Sequence, residues 1–476
     1  MLRLPLVLAA AACLSGCALL HRSDVSVVAA GRTAFVVDQP DLIALVEHDS
    51  VRVDTLFEGG FSSLFAVGDT LFAVTDRGPS VSAAARSGTG GPARVFPLPD
   101  YTPTLYRIGL GSAGQTSADD PHLRWQAQLL DPVPLRNAGG ELVSGRPVSV
   151  YNAGAGGVEV AWADTAGTLL QPDPSGLHIE GAAEGRPAVP PRMGVPGRPA
   201  TFWVADAYRP ALLEIDRETG RTFRRFTARL ADAAFDQPLD EVLTHRKPGQ
   251  GFAGLARLDD GRLIAAMRAP LPIPDAASTA HSRYVRLVVF DAISGSSTTL
   301  AYELGGPGHT IGDLARAQGS RVLVLEHDPE GKSWVYAVDL SGGTLVLPSY
   351  SGSTMEQLAG PEAAETVGLV PVPKTLVLDL AKSGWDPALG PPEGIVALTP
   401  RLLVAVNDNG YGLRAEREDG SYTVAQQPTV FYSFRMSSSL WYEGTARLPL
   451  RERDLEVREG ASPAGEANPE VAPQAP

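Results

Sequence analysis

Short aliphatic runs, each bracketed by polar and glycine-rich residues, recur along this chain. Thr33-Ala-Phe-Val-Val and Asp41-Leu-Ile-Ala-Leu-Val predict the first strands. Thr70-Leu-Phe-Ala-Val-Thr, Thr201-Phe-Trp-Val-Ala, Arg262-Leu-Ile-Ala-Ala-Met, Arg321-Val-Leu-Val-Leu and Arg401-Leu-Leu-Val-Ala-Val predict later ones. Each run has the length of one buried strand. Follow-on strands are predicted at Thr104-Leu-Tyr-Arg-Ile, at Ala211 to Asp216 with a turn at Glu218-Thr219-Gly220, and at Trp334 to Asp339.

The runs share a phrase. A polar, glycine-bearing start leads into the strand, and a charged or amide-bearing turn ends it. The starts are Gly60-Phe61-Ser62-Ser63-Leu64, His178-Ile179-Glu180-Gly181, Gly251-Phe252-Ala253-Gly254-Leu255, Thr310-Ile311-Gly312-Asp313-Leu314 and Pro392-Glu393-Gly394-Ile395. The ends are Asp76-Arg77-Gly78-Pro79, Asp206-Ala207-Tyr208, Arg268-Ala269-Pro270, Glu326-His327-Asp328 and Asn407-Asp408-Asn409-Gly410. Repeated short-strand units of this kind predict an all-β fold, a β-propeller of six or seven blades, with a β-sandwich as the competing architecture. Thr429-Val-Phe-Tyr-Ser-Phe is the candidate strand that closes the ring. Residues 80–100 and 186–199 read as long loop insertions rich in Pro, Gly or Ser.

Composition agrees with many strands and tight turns, since the 476 residues include 50 Gly and 40 Pro. A formal net charge of −14 argues against a nucleic-acid partner and repels anions unless a bound cation bridges. The ends add a location. Residues 1–16 read as a signal peptide, with Arg3 and then an apolar stretch too short to span a bilayer. Leu14-Ser15-Gly16-Cys17 fits a bacterial lipobox, so Cys17 is the expected lipidation site and Ala18 after it points to the outer membrane. Both cysteines, Cys13 and Cys17, lie in this segment, so the remainder has no thiol for a disulfide, a zinc cage or a nucleophile. The expected organisation is a tether over 17–30, one domain over 31–447 and a disordered Pro/Glu/Ala-rich tail over 448–476.

Several familiar chemistries find no footing. Gly109 to Gly114 is formally a GxGxxG, but a turn-rich stretch follows it where a dinucleotide site needs a helix. No G-x-S-x-G elbow, HExxH or Walker phosphate loop occurs. Ser63 stays open as a nucleophile, because a triad is defined by geometry rather than order. His327 invites a metal or acid–base reading, although a histidine at a strand end is ordinarily a solvated turn residue.

Taken together and in order, the phrases around Phe65–Pro79, Phe202–Pro210, Gly251–Leu271, Ile311–Asp328 and Glu393–Tyr411 resemble the phytase-like family called "esterase-like activity of phytase". The resemblance runs over roughly residues 50–435. It implies a propeller similar in outline to the calcium-dependent β-propeller phytases. This chain departs from the family pattern at Ala207 and Ala253, where acidic residues are usual.

The candidate site is the rim where the polar strand ends would collect. Asp76, Glu180, Asp206, Asp313, Glu326, Asn407 and Asp408 are the candidate ligands of a calcium ion, which takes about 6–8 oxygen donors. Arg77 and Arg268 are candidates to hold phosphate or carboxylate in a fork. Glu393 is the candidate general base for a water attacking a phosphate ester. The alternative is a cell-envelope propeller that binds a small anionic ligand or a partner without turning it over, and a sugar-lactone hydrolase is a third possibility.

Overall fold

The computed structural model describes residues 29–37, 41–48, 51–67, 70–83, 93–95, 98, 101–112, 125–145, 160–162, 183–186, 200–208, 210–228, 235–247, 249–414, 423–424, 427–437 and 439–440. The described strands build five antiparallel blades around a ring. From inner to outer edge, the first blade is Phe61–Val67, Thr70–Thr75, Thr104–Ser112 and Trp125–Pro134. The second is Ala183–Arg186, Thr201–Asp206, Ala211–Asp216 and Thr222–Thr227, with Asp236–Pro238 added at its outer edge. Phe252–Arg257, Leu263–Met267, Tyr284–Phe290 and Ser297–Glu303 form the third. The fourth comprises Thr310–Arg316, Arg321–His327, Ser333–Asp339 and Lys374–Asp379.

The fifth blade is completed from the opposite end of the chain. Pro392–Thr399, Leu402–Asn407 and Val430–Met436 supply three strands, and Ala29–Val37 pairs with Val430–Met436 as the fourth. The inner strand Pro392–Thr399 then lies against Phe61–Val67, which closes the circle. Among the described residues the blades therefore number five, not six or seven. The N-terminal strand opens no blade of its own, and among the described residues Asp41–His48 and Val51–Phe57 pair with each other alone. Residues 429–434 do help close the ring, but as the third strand of a blade whose outer strand is N-terminal. The 80–100 loop contains two short paired strands, Val81–Ala83 and Ala93–Val95.

The uninterrupted apolar runs have a simple cause. A blade packs between two neighbours, so a middle strand buries both faces, as Leu263–Met267 and Tyr284–Phe290 do along their whole length. Aromatic rings interlock across these contacts. Phe65 and Phe72 of the first blade meet Phe202 of the second, with ring centroids 5.2 Å apart in each pair. Phe226 meets Phe290 at 4.6 Å between the second and third. Each such side chain contributes roughly 1.5–3 kcal/mol by leaving water.

The repeated phrase has a backbone counterpart. The register slips by one residue between Phe61 and Ser63, Phe252 and Gly254, Ile311 and Asp313, and Pro392 and Gly394. Four inner strands therefore carry a β-bulge at the same place. The residue after each bulge (Ser63, Gly254, Asp313 or Gly394) abuts a neighbouring inner strand. A Cβ at Gly254 would lie 2.6 Å from the Leu314 nitrogen, and one at Gly394 would lie 3.0 Å from the Leu64 nitrogen. The small residues Ser63, Gly254 and Gly394 let these inner strands approach closely.

Candidate functional site

An inner strand begins where the next strand of its blade ends. The Asp76 N–H donates to the Gly60 oxygen at 2.6 Å, and the Arg268 N–H to the Gly251 oxygen at 2.8 Å. Neighbouring blades join at the same level. Gly251 donates to the Ala207 oxygen at 2.6 Å, and Ile311 to the Arg268 oxygen at 2.9 Å. The polar strand ends thus collect on one rim, as the phrases predict. What they do there differs from residue to residue.

Four of the expected calcium ligands already have their oxygens engaged. Asp313 is wholly buried inside the ring, where it accepts from Leu314 N–H at 2.8 Å, Ile395 N–H at 2.9 Å and the Ser63 hydroxyl at 3.3 Å. The Leu64 N–H also bonds to it. Burial pushes its carboxyl well above the usual carboxylate range, while these donors pull the other way. Ser63, open as a nucleophile on sequence grounds, is buried with its hydroxyl on this carboxylate. Asp206 is buried and accepts from Tyr208 N–H at 2.8 Å, the bond of an Asx turn. Asn407 accepts from Val430 N–H at 2.7 Å and donates to the Pro428 oxygen at 3.2 Å.

Glu326 is the fourth. Its buried carboxylate takes bonds from the Tyr302 hydroxyl and Gly305 N–H, each at 2.6 Å, from His309 Nδ1 at 2.7 Å and from Lys374 Nζ at 2.8 Å. Burial raises its pKa, but the Lys374 charge and these hydrogen bonds outweigh that and hold it below the usual range. Glu180 and Cys17 lie outside the described residues. Among the described residues no three His, Cys, Asp or Glu side chains gather as a metal site requires. The described members of this donor set do not gather around one point as a calcium ion requires.

The remaining candidates stay at the rim. Asp76 accepts from Arg77 N–H at 2.5 Å, and the two side chains pair at 4.0 Å with Arg77 buried. Asp408 accepts from Gly410 N–H at 2.7 Å. Arg268 Nη2 of the third blade reaches Glu393 Oε1 of the fifth at 3.6 Å, with 19% and 15% of the side chains exposed. That separation is an ion pair without a hydrogen bond between the two groups.

His327 is buried, not a solvated turn residue. Its Nδ1 lies 2.8 Å from the Ser333 hydroxyl, and that hydroxyl is 3.3 Å from the Gly331 oxygen. Ser333 donating onward places the hydrogen on Nδ1 and a lone pair on Nε2, which nothing among the described residues hydrogen-bonds. Burial, aided by the nearby Arg268 charge, lowers its pKa to about 3.

Two groups escaped sequence reasoning. Glu58 is buried and accepts from the Tyr101 hydroxyl at 2.7 Å and the Tyr106 hydroxyl at 2.9 Å. Burial raises its pKa despite those bonds. The available signal is its place before Gly59-Gly60, parallel to Glu180-Gly181 and Glu393-Gly394. Asn409 joins the fifth blade to the first. Its Oδ1 accepts from Gly60 N–H at 3.0 Å and Tyr411 N–H at 3.1 Å, and its Nδ2 donates to the Gln427 oxygen at 3.0 Å. Asn409→Ala should cost about 2 kcal/mol, because two buried N–H groups lose their acceptor. A urea melt checks this.

Residues 188–411 match the phytase-like family model, described as esterase-like activity of phytase. The family resemblance of the sequence phrases is thus borne out over that region. None of the curated proteins matches the chain. Similar solved structures include the PQQ-bound aldose sugar dehydrogenase of Streptomyces coelicolor, at 11% identity and a TM-score of 0.27 over 86% of this chain and 99% of that one. Hydrazine synthase of Kuenenia stuttgartiensis shares 13% identity at a TM-score of 0.30, over 83% of this chain and 98% of that one. The Dos1 propeller shares 11% identity at 0.28, over 80% and 82%.

Proposed function

We propose, from the premise that residues 188–411 carry a phytase-like domain, that this propeller hydrolyses anionic esters at its rim, phosphate esters foremost. The observation that carries the reading is the long Arg268–Glu393 ion pair between the third and fifth blades. An entering phosphate can take the Arg268 guanidinium from Glu393, because their contact is charge without a hydrogen bond. Glu393 then accepts a proton from water as the water oxygen bonds to phosphorus. The ester P–O bond breaks, and the departing alkoxide takes up the proton that Glu393 accepted, which restores the carboxylate. The domain's place in the cell envelope is part of the proposal. The lipobox at Leu14–Cys17 supports a lipid anchor through Cys17, with the outer membrane as its site.

The test is phosphate release from phytate by the full chain in detergent, with calcium and with a chelator. Glu393→Gln should lower kcat/KM about 100-fold, within the range for loss of a positioned base. Arg268→Gln should act mainly through KM. Glu393→Gln at the wild-type rate would overturn the reading. The second reading, a propeller that binds a small anion without turnover, is favoured by the engaged oxygens of Asp206, Asp313, Glu326 and Asn407. Phytate binding without phosphate release would establish it.

A further inference from the structure

The loop from the third blade to the fourth reads Leu304-Gly305-Gly306-Pro307-Gly308-His309. It sets an imidazole on the buried carboxylate already described. His309 Nδ1 lies 2.7 Å from Glu326 Oε1, and the ring stacks parallel to the Trp334 indole, with centroids 5.9 Å apart and planes 7° apart. A carboxylate accepts and does not donate, so the hydrogen sits on His309 Nδ1, and Nε2 is the nitrogen that carries the lone pair whenever the ring is neutral. The side chain is 18% exposed, and among the described residues nothing hydrogen-bonds Nε2.

The glycines keep that nitrogen approachable. A Cβ at Gly306 would come within 3.2 Å of Nε2, and one at Gly305 within 2.8 Å of Glu326 Oε1. Glu326 is itself fixed by Tyr302, by the Gly305 N–H and by Lys374, whose ammonium also lies 4.5 Å from the Tyr302 ring centroid and 4.4 Å from that of Tyr336. The imidazole is therefore held from three sides, by the carboxylate, the indole and the glycine loop. This is the arrangement a general base needs: an oriented ring with one nitrogen bound and the other accessible.

We propose that His309 is a general base, oriented by Glu326, in a second reactive site that hydrolyses uncharged carboxylic esters. The charge balance selects that substrate class. Lys374 is matched by Glu326, and Arg283 by Glu303 at 3.3 Å, while the other neighbours are Trp334, Tyr302, Tyr336 and glycine backbone. No surplus positive charge is left to favour a phosphate. In the reaction, Nε2 takes a proton from water as the water oxygen bonds to the acyl carbon. The tetrahedral adduct then collapses, the ester C–O bond breaks, and Nε2 returns the proton to the departing alkoxide. Water and ester become acid and alcohol. Glu326 is a positioning residue, since it acts through the imidazole.

The site is independent of the Arg268–Glu393 pair, and the experiment separates them. The full chain is assayed with p-nitrophenyl acetate and, in parallel, with phytate. His309→Gln should lower kcat/KM for p-nitrophenyl acetate at least 100-fold with an unchanged circular dichroism spectrum, while phosphate release is unaffected. His281→Gln, which removes an exposed histidine, controls for non-specific imidazole catalysis and should leave the rate unchanged. Gly306→Val, which crowds Nε2 without removing any group of the dyad, should also lower the rate. Glu326→Gln should lower kcat with KM little changed, a split that a purely structural role would not produce. Wild-type ester turnover in His309→Gln, or no turnover by the wild-type chain above buffer, would overturn the proposal.

Discussion

Replacing Asp313 with alanine should destabilise the folded chain by about 5 kcal/mol, read as a large fall in the urea midpoint at an unchanged m-value. The size follows from what the carboxylate serves. Leu64, Leu314 and Ile395 donate backbone N–H groups to it from the inner strands of the first, fourth and fifth blades. None of the three can turn elsewhere, because each is fixed in its strand. An unsatisfied buried donor costs about 1–3 kcal/mol, so three of them outweigh the loss of a single ordinary bond. Ser63→Ala removes one weak donor and should cost only about 1 kcal/mol. Asp313→Asn should fall between, because its amide oxygen still accepts while its NH2 opposes one N–H. Asp313→Ala within 1 kcal/mol of wild type would show that close packing of the inner strands alone holds the ring.

This role was only half legible in the sequence. The phrase Thr310-Ile311-Gly312-Asp313-Leu314 is readable as a repeat of Gly60 to Leu64, and the strands that follow both, Thr70–Thr75 and Arg321–His327, were read correctly, whereas the phrases themselves are strands too. That Ser63, Gly254, Asp313 and Gly394 share one position depends on four bulges, and an unaligned string does not show a bulge. A rim carboxylate and a ring carboxylate differ by one step along a strand, since side chains alternate between faces. Glu326 illustrates the other limit. Its polar strand end is visible in the sequence, but its partners His309 and Lys374 stand 17 and 48 residues away. The blade count failed because outer-strand membership is a matter of pairing, and Ala29–Val37 finds its partner some four hundred residues later.

His327 yields the second large effect, and it depends on pH. A histidine in the unfolded chain takes up a proton near pH 6.5, whereas burial and the Arg268 charge keep the folded His327 neutral until about pH 3. Between those values the unfolded state binds more protons, so stability rises with pH and is lost on acidification. One proton corresponds to about 1.4 kcal/mol per pH unit, or about 3 kcal/mol between pH 6.5 and 4.5 and nearly 5 kcal/mol by pH 3. Burial raises the carboxyls of Glu58 and Asp313 as well, so the histidine is isolated by comparing the wild type with a variant. The stability supplied by Glu326 is lost only as pH falls below the ordinary carboxylate range, because its folded pKa is lowered. Glu58 works in the opposite direction, since its raised pKa lets the folded state take up a proton first on acidification. The difference between wild type and His327→Asn removes that contribution, and asparagine keeps a polar atom near Ser333. Urea melts from pH 6.5 to 4.5 should show the wild type losing about one proton's worth of stability more per pH unit than the variant. Equal slopes would mean that His327 takes up its proton while folded, with Nε2 donating to an acceptor at the rim. Arg268 would then face a cation, and its pairing with Glu393 would have to tighten to offset it.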